Sequence, residues 1–489
     1  MSLGITRRRL LAMSAAALSA GAARAAGPKD VPAPKLRPDT VPPTPKQPYE
    51  KMIEQARLDG KTSFLVMDAN SGEVLQEHQA HSGLPPASVV KALTALYAMD
   101  VLGGDHVFET KVFGTGYLDG EVLNGDLILV GGGDPELTTD GLGDLSRQLV
   151  ELGVTSITGK FLVWGNALPF SDRIDRNQPE HVAYNPAISG IMLNRNRVRF
   201  EWVRKSGDYD LILDARSGRY SADVSVAEIS AQEKMQTVYT YEDADGTDAW
   251  TVAKAALGKG GARWLPTRQP IAYAGEVFRA VAQQNGLTLP EAEQVDELPS
   301  GSFIMAKRQG PVLSKILKDM LDYSYNLTAE AVGMAASAKR VRRPISYVES
   351  AKEMNRWSRE RFGVSGIEMR DHSGLGDKSR IAPRALATLL SDPWARETLV
   401  PLVKLKAVAL SNGTVKKWVK TGTLHYASGL AGYLEMPNGR LLSFAIFSAD
   451  FDRRKRADLK GSERPPGSQS WAQRARYMQN RLIDHWATL

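Results

Sequence analysis

The chain has 489 residues, 43% hydrophobic and 24% charged, an ordinary balance for two or three globular domains. It holds no cysteine, which excludes disulfides, cysteine nucleophiles and thiolate metal sites. Of the formal charge of +7, four arginines (Arg7, Arg8, Arg9 and Arg24) lie in the first 25 residues, which hold no acid, so the basic balance does not argue for nucleic-acid binding.

In chain order, TRRRLL (6–11), a mild apolar stretch and Ala23-Arg24-Ala25 read as an export signal of twin-arginine type with cleavage after Ala25. An ordinary secretory signal is the alternative, and either places the mature chain in the periplasm. Residues 26–48 read as an extended linker, with eight prolines between 28 and 48. TSFLVMDANSGEVLQEH (62–78) predicts two strands around an Asn-Ser-Gly turn. PPASVVKALTALYAM (85–99) predicts a helix with an apolar stripe through Val90, Leu93, Leu96 and Met99. From 107 the pattern turns to short strands with glycine turns, a helix near 140–152 and the strand KFLVWGN (160–166). Residues 170–250 are polar and β-like. Helical patterns return at 274–286 and 311–338, followed by a KTGTL strand (420–424), a hairpin turning at Pro437-Asn438-Gly439 and a last helix near 468–487. This order predicts an α+β fold. One discontinuous domain (49–106 and 301–489) is interrupted by β-rich inserts (107–300), with an inner insert at about 170–250.

Three short pieces carry the chemistry: Ser88-Val89-Val90-Lys91 on a helix, Ser324-Tyr325-Asn326 before a helix, and Lys420-Thr421-Gly422-Thr423 on a strand. Ser88 and Lys91 stand one helical turn apart, where side chains are neighbours. A serine hydroxyl needs a base to become a nucleophile. A lysine can serve only when neutral, which burial or a second cation such as Lys420 promotes. Ser324 is placed to relay a proton, and the Asn326 amide to hold Lys91 and a substrate carbonyl. Gly422 lets the strand approach substrate closely. The backbone N–H groups of Ser88 and Thr423 form a candidate oxyanion hole. Lys420 and Thr421 are placed to hold a terminal carboxylate. The plainer alternatives are an N-cap for Ser88, a snorkelling side chain for Lys91 and a helix cap for Ser324.

Other patterns carry less. Asp371-His372-Ser373 cannot align as a relay of adjacent residues, and no nucleophile elbow is present. His78 and His81 lack the glutamate and spacing of a zinc motif. GGGDPEL (131–137) and TGKF (158–161) lack phosphate-loop spacing. KRVRR (339–343) and RRKR (453–456) read as solvated faces, or as peripheral contacts with an anionic wall or membrane surface. No metal or cofactor is expected.

The ordered triplet, with Tyr325 where the usual S-D-N has an aspartate and so in the looser S-x-N form, is the mark of class A β-lactamases and penicillin-binding proteins. The long interval from Ser88 to Ser324 points away from the β-lactamases. With LILVGGGDPEL, YNPAISGIMLNRN (184–196), DHSGL (371–375) and KTGTLHYASGLAGY, the chain from about residue 50 onward resembles the low-molecular-mass class C penicillin-binding proteins, the D-alanyl-D-alanine carboxypeptidase/endopeptidase family. The resemblance implies a penicillin-recognising serine transferase domain with nested inserts. It also implies acylation of Ser88 by peptidoglycan stem peptides and by β-lactam antibiotics. Many members carry an arginine where this chain has Asp377, and an aspartate is expected near Trp164-Gly165-Asn166. The two departures put recognition of a diaminopimelate side chain in doubt, with Lys378 or Arg380 as candidate substitutes. A β-lactamase-like or D-amino-acid esterase remains the alternative within the fold, and a catalytically idle wall-binding scaffold the alternative outside enzymes.

Overall fold

A computed structural model describes residues 49–410, 413–459 and 463–489, all within one unit of contacts, Lys46–Leu489. The expected signal and linker lie outside the described residues. The principal sheet has six strands in the order Val74–His78, Lys61–Asp68, Leu441–Ala449, Ala427–Glu435, Gly413–Leu424 and Leu405–Leu410. Both faces are covered. Along Lys61–Asp68, Phe64 and Val66 point into a cluster with Met52, Met478, Leu482 and Trp486 from the first and last helices. Leu65 and Met67 point to the other face, against Ala80 and Ala387. The turn after this strand is fixed by Asp68, whose Oδ1 accepts from the N–H groups of Asn70 and Ser71.

The serine helix differs from its expected form. It runs Val90–Leu102, preceded by a 3-10 turn at Ala87–Val89, and every residue from Val90 to Ala98 is buried. The apolar stripe is therefore not one face of a surface helix, because this helix runs through the centre of the domain. Helices Asn326–Val341 and Tyr347–Phe362 pack beside it, with Tyr97 and Ser337 hydroxyls 2.9 Å apart. The helical pattern at 311–338 is two helices, Leu313–Tyr323 and Asn326–Val341, divided at Ser324, which adopts a left-handed conformation (φ 61°). Asn326 thus opens the second helix.

Between the halves of this domain, strands Val107–Gly114 and Phe303–Val312 pair antiparallel, so the chain leaves and returns side by side. They belong to a five-stranded sheet with Leu127–Gly131, Phe161–Trp164 and Ala292–Val295. Helices Thr139–Glu151 and Pro270–Gln284 pack beside it. A four-stranded and a three-stranded sheet, built from strands between Arg197 and Pro266, extend the same hydrophobic core.

Candidate active site

The three sequence pieces converge on one cleft. Ser88 sits in the tight turn before the serine helix, and its predecessor Ala87 has a positive φ of 46°, a conformation that costs an alanine about 1 kcal/mol. Two glycines make room for this turn. A Cβ on Gly374 would lie 1.9 Å from Ala87 O, and one on Gly422 would lie 2.5 Å from Pro86 O and 2.9 Å from Ser88 N. The close approach at Gly422 is thus to the backbone that carries Ser88, rather than to substrate alone. Sequence reasoning saw the need for a glycine but not its contact.

Lys91 is fully buried. Its Nζ donates to Ser88 Oγ at 2.9 Å, Asn326 Oδ1 at 2.8 Å and the Ser373 carbonyl at 2.6 Å. All three acceptors are neutral. Burial first, then the charge of Lys420, pushes Lys91 down from 10.5 to about 7, against the opposing pull of Glu330 and Asp371. At neutral pH about half of such a lysine is uncharged, against roughly one in a few thousand for an ordinary one. The snorkelling alternative fails for Lys91, because its amine does not reach water.

Lys420 Nζ donates to Ser324 Oγ at 3.2 Å and to the Thr421 carbonyl at 3.0 Å. Burial lowers it to about 8, with Asp322 and Lys406 acting in opposite directions. The cleft has two lobes that share Ser88, Ser324 and Thr423. One, of about 300 Å³, is lined by Lys420, Thr421, Lys404, Lys406 and Asp322. The other, of about 500 Å³, is bounded by Asn326, Tyr184, Gln178, Leu375, His425 and Arg476.

Residues that sequence reasoning set aside or missed complete the floor. Asp371-His372-Ser373 is buried and is no relay. His372 Nε2 meets Ser350 Oγ at 2.7 Å, and burial drives its imidazole down to about 3. Ser373 serves Lys91 through its carbonyl, which no side-chain pattern announces. Glu330 and Asp371, both buried, accept backbone N–H groups of the same loop. The insert also reaches the site. Asn326 Nδ2 donates to the Tyr184 carbonyl at 2.9 Å. The Arg195 guanidinium lies 3.7 Å over the Tyr325 ring while pairing with Glu136 of the GGGDPEL stretch. Tyr325, in the middle of Ser-Tyr-Asn, therefore faces the insert.

The candidates for a substrate side chain fall elsewhere. Arg380 donates to the carbonyls of Asp377 and Ser379 and lies 5.1 Å over Phe451. Neither it nor Lys378 lines the cleft, because the loop after Gly376 folds back on itself. Asn166 Nδ2 donates to the Asp296 carbonyl at 3.1 Å and lies 3.3 Å from its carboxylate. Lys160 of TGKF pairs on the surface with Glu293. His78 stacks on Phe64, and His81 is exposed. In the basic runs, Arg340 pairs with Glu353 and Glu360, and Arg453 with Asp59.

The chain is similar to known proteins. The D-alanyl-D-alanine carboxypeptidase of Actinomadura sp. (strain R39) is 26% identical over 439 residues, 82% of this chain and 80% of that protein. The D-alanyl-D-alanine carboxypeptidase DacB of Haemophilus influenzae is 23% identical over 434 residues, 82% of this chain and 89% of that protein. The crystal structure of penicillin binding protein 4 (dacB) from Haemophilus influenzae matches with a TM-score of 0.68 at 18% identity, covering 89% of this chain and 99% of that one, and so has the same fold. The profile of the D-Ala-D-Ala carboxypeptidase 3 (S13) family matches residues 46–463. The chain belongs to that family of serine DD-peptidases.

Proposed function

We propose that this DD-peptidase works through an acyl-enzyme on Ser88, with Lys91 as its base, on peptidoglycan stem peptides that end in D-Ala-D-Ala. The observation that carries the reading is Lys91 itself: buried, bonded only to neutral acceptors and 2.9 Å from Ser88 Oγ. A neutral amine keeps two N–H donors and one lone pair. Asn326 Oδ1 and the Ser373 carbonyl can only accept, so they take the two N–H groups. The lone pair then falls on the Ser88 hydroxyl.

Ser88 Oγ attacks the carbonyl carbon of the penultimate D-Ala as its proton passes to Lys91 Nζ. The oxyanion is met by the backbone N–H groups of Ser88 and Thr423, each worth about 3 kcal/mol in the transition state. The C–N bond breaks as the departing nitrogen takes that proton through Ser324. Water then attacks the ester, losing its proton to Lys91, which returns it to Ser88 Oγ. Lys420 and Thr421 hold the terminal carboxylate of the substrate. Penicillins, which carry a carboxylate beside a strained amide, acylate Ser88 in the same pose. The Haemophilus influenzae relative has been crystallised with a β-lactam, which supports this reading. Its substrate and the signal-like first 25 residues support a periplasmic site of action. Intact-protein mass spectrometry with a fluorescent penicillin tests the proposal: one adduct on the wild type and none on Ser88→Ala is expected. An unmodified wild type that also leaves the penicillin intact would overturn it.

A further inference from the structure

Glu330 is buried one helical turn beyond Asn326, and neither lobe of the cleft includes it. Its Oε1 accepts the N–H of His372 at 3.2 Å and of Ser373 at 2.9 Å, and its Oε2 accepts the His372 N–H at 3.0 Å. The neighbouring groups of the same loop are also held. The His372 carbonyl takes the Thr94 hydroxyl at 2.7 Å, and the Asp371 carboxylate takes the Gly374 and Gly376 N–H groups. The Ser373 carbonyl is the one that meets Lys91.

We propose that Glu330 is a positioning residue for acylation, which clamps two successive N–H groups so that the Ser373 carbonyl stays on Lys91 and the lysine lone pair stays on Ser88. The inference rests on the acyl-enzyme reading above. Of the two carbonyls that occupy the N–H groups of Lys91, one belongs to a side chain at a helix start and the other to a loop. A loop carbonyl holds its direction only if its peptide and the one before it cannot rotate: Asp371 Oδ1 accepts the Gly374 N–H of the peptide that carries the Ser373 carbonyl, and Glu330 holds the two preceding peptides through the His372 and Ser373 N–H groups. A buried carboxyl gives little net stability, so this site is costly unless it does something for its neighbours. Glu330 also supplies charge. The charged and titratable groups around it are Lys91 and, beyond it, Lys420; Asp371, itself faced by Asp175; Tyr347; and His372, which stays neutral. Burial, then the Asp371 charge, raises the Glu330 carboxyl to about 8, so its anion, which favours the ammonium form of Lys91, prevails only above the pH at which Lys91 itself titrates.

The test uses the full chain, acylated by a fluorescent penicillin across about pH 5–10, in the wild type, Glu330→Gln and Glu330→Ala. Glutamine keeps an oxygen for the two N–H groups and removes the anion. The plateau of the acylation rate is expected to stay within about threefold of the wild type, because the two N–H groups keep an acceptor. Alanine removes the clamp, and the plateau is expected to fall roughly tenfold or more. A Glu330→Gln plateau as low as that expected of Glu330→Ala overturns the inference, as does a wild-type plateau in Glu330→Ala. Should the alanine variant fail to fold, the glutamine result decides. A wild type that takes no adduct and leaves the penicillin intact overturns the acyl-enzyme reading and this inference with it, whereas normal wild-type acylation with unchanged variants overturns this inference alone.

Discussion

Lys91 is buried behind Ser88 and Lys420 lines a lobe of the cleft that Ser88 shares, and the two meet opposite surroundings. Around Lys91 the walls are closed, and its amine touches only a hydroxyl and two carbonyls. Around Lys420 the cleft opens into a lobe of about 300 Å³, flanked by Lys404, Lys406 and Asp322. In the proposed mechanism the same side-chain chemistry serves as a base where water is excluded and as an anion holder where substrate enters. Burial differs by only a few per cent of exposed area, so the roles follow from what each amine faces.

Breaking that contrast at its closed end has the largest expected effect. Lys91→Gln keeps a polar chain but no base, and should slow penicillin acylation by about 100-fold to 10,000-fold while Ser88 remains in place; intact-mass kinetics read it. At the open end, Lys420→Ala should slow acylation by roughly 100-fold for a ligand with a free terminal carboxylate, and less for its amide; comparing kcat/KM for the two peptides sharpens the assignment. A change of wall tests the turn that separates them. Gly374→Ala drives a methyl group into the Ala87 carbonyl at a positive φ of 76°, and should cost about 1–3 kcal/mol in thermal unfolding along with reduced acylation. The smallest effect is expected on the insert side of the site: Arg195→Gln removes the cation over Tyr325 and should cost about 1 kcal/mol or less, seen as a few-fold loss of acylation.

How much could be read in advance divides along the same line. Ser88, Lys91, Ser324, Asn326 and Lys420 were legible because each contributes a reactive or polar side chain in a fixed order. Burial of Lys91 was legible only as a requirement of its chemistry, since the helix pattern pointed to a stripe rather than complete enclosure. Ser373 was not legible, because it acts through a carbonyl that every residue possesses. Arg380 looked like a replacement for a missing arginine, yet its own loop carbonyls and Phe451 hold it. Local sequence does not show which way a loop folds. The α+β fold itself followed from element order, and the pairing of Val107–Gly114 with Phe303–Val312 depended on contacts almost 200 residues apart, beyond the reach of periodicity.

The most direct test of the central claim, that Lys91 is the neutral base for Ser88, is the pH dependence of wild-type acylation by penicillin. The rate constant should rise through about pH 7 as Lys91 loses its proton and decline above about pH 8 as Lys420 loses its charge. A rate that stays flat from about pH 5 to pH 9, or that rises only near the ordinary lysine value of about 10.4, would contradict it.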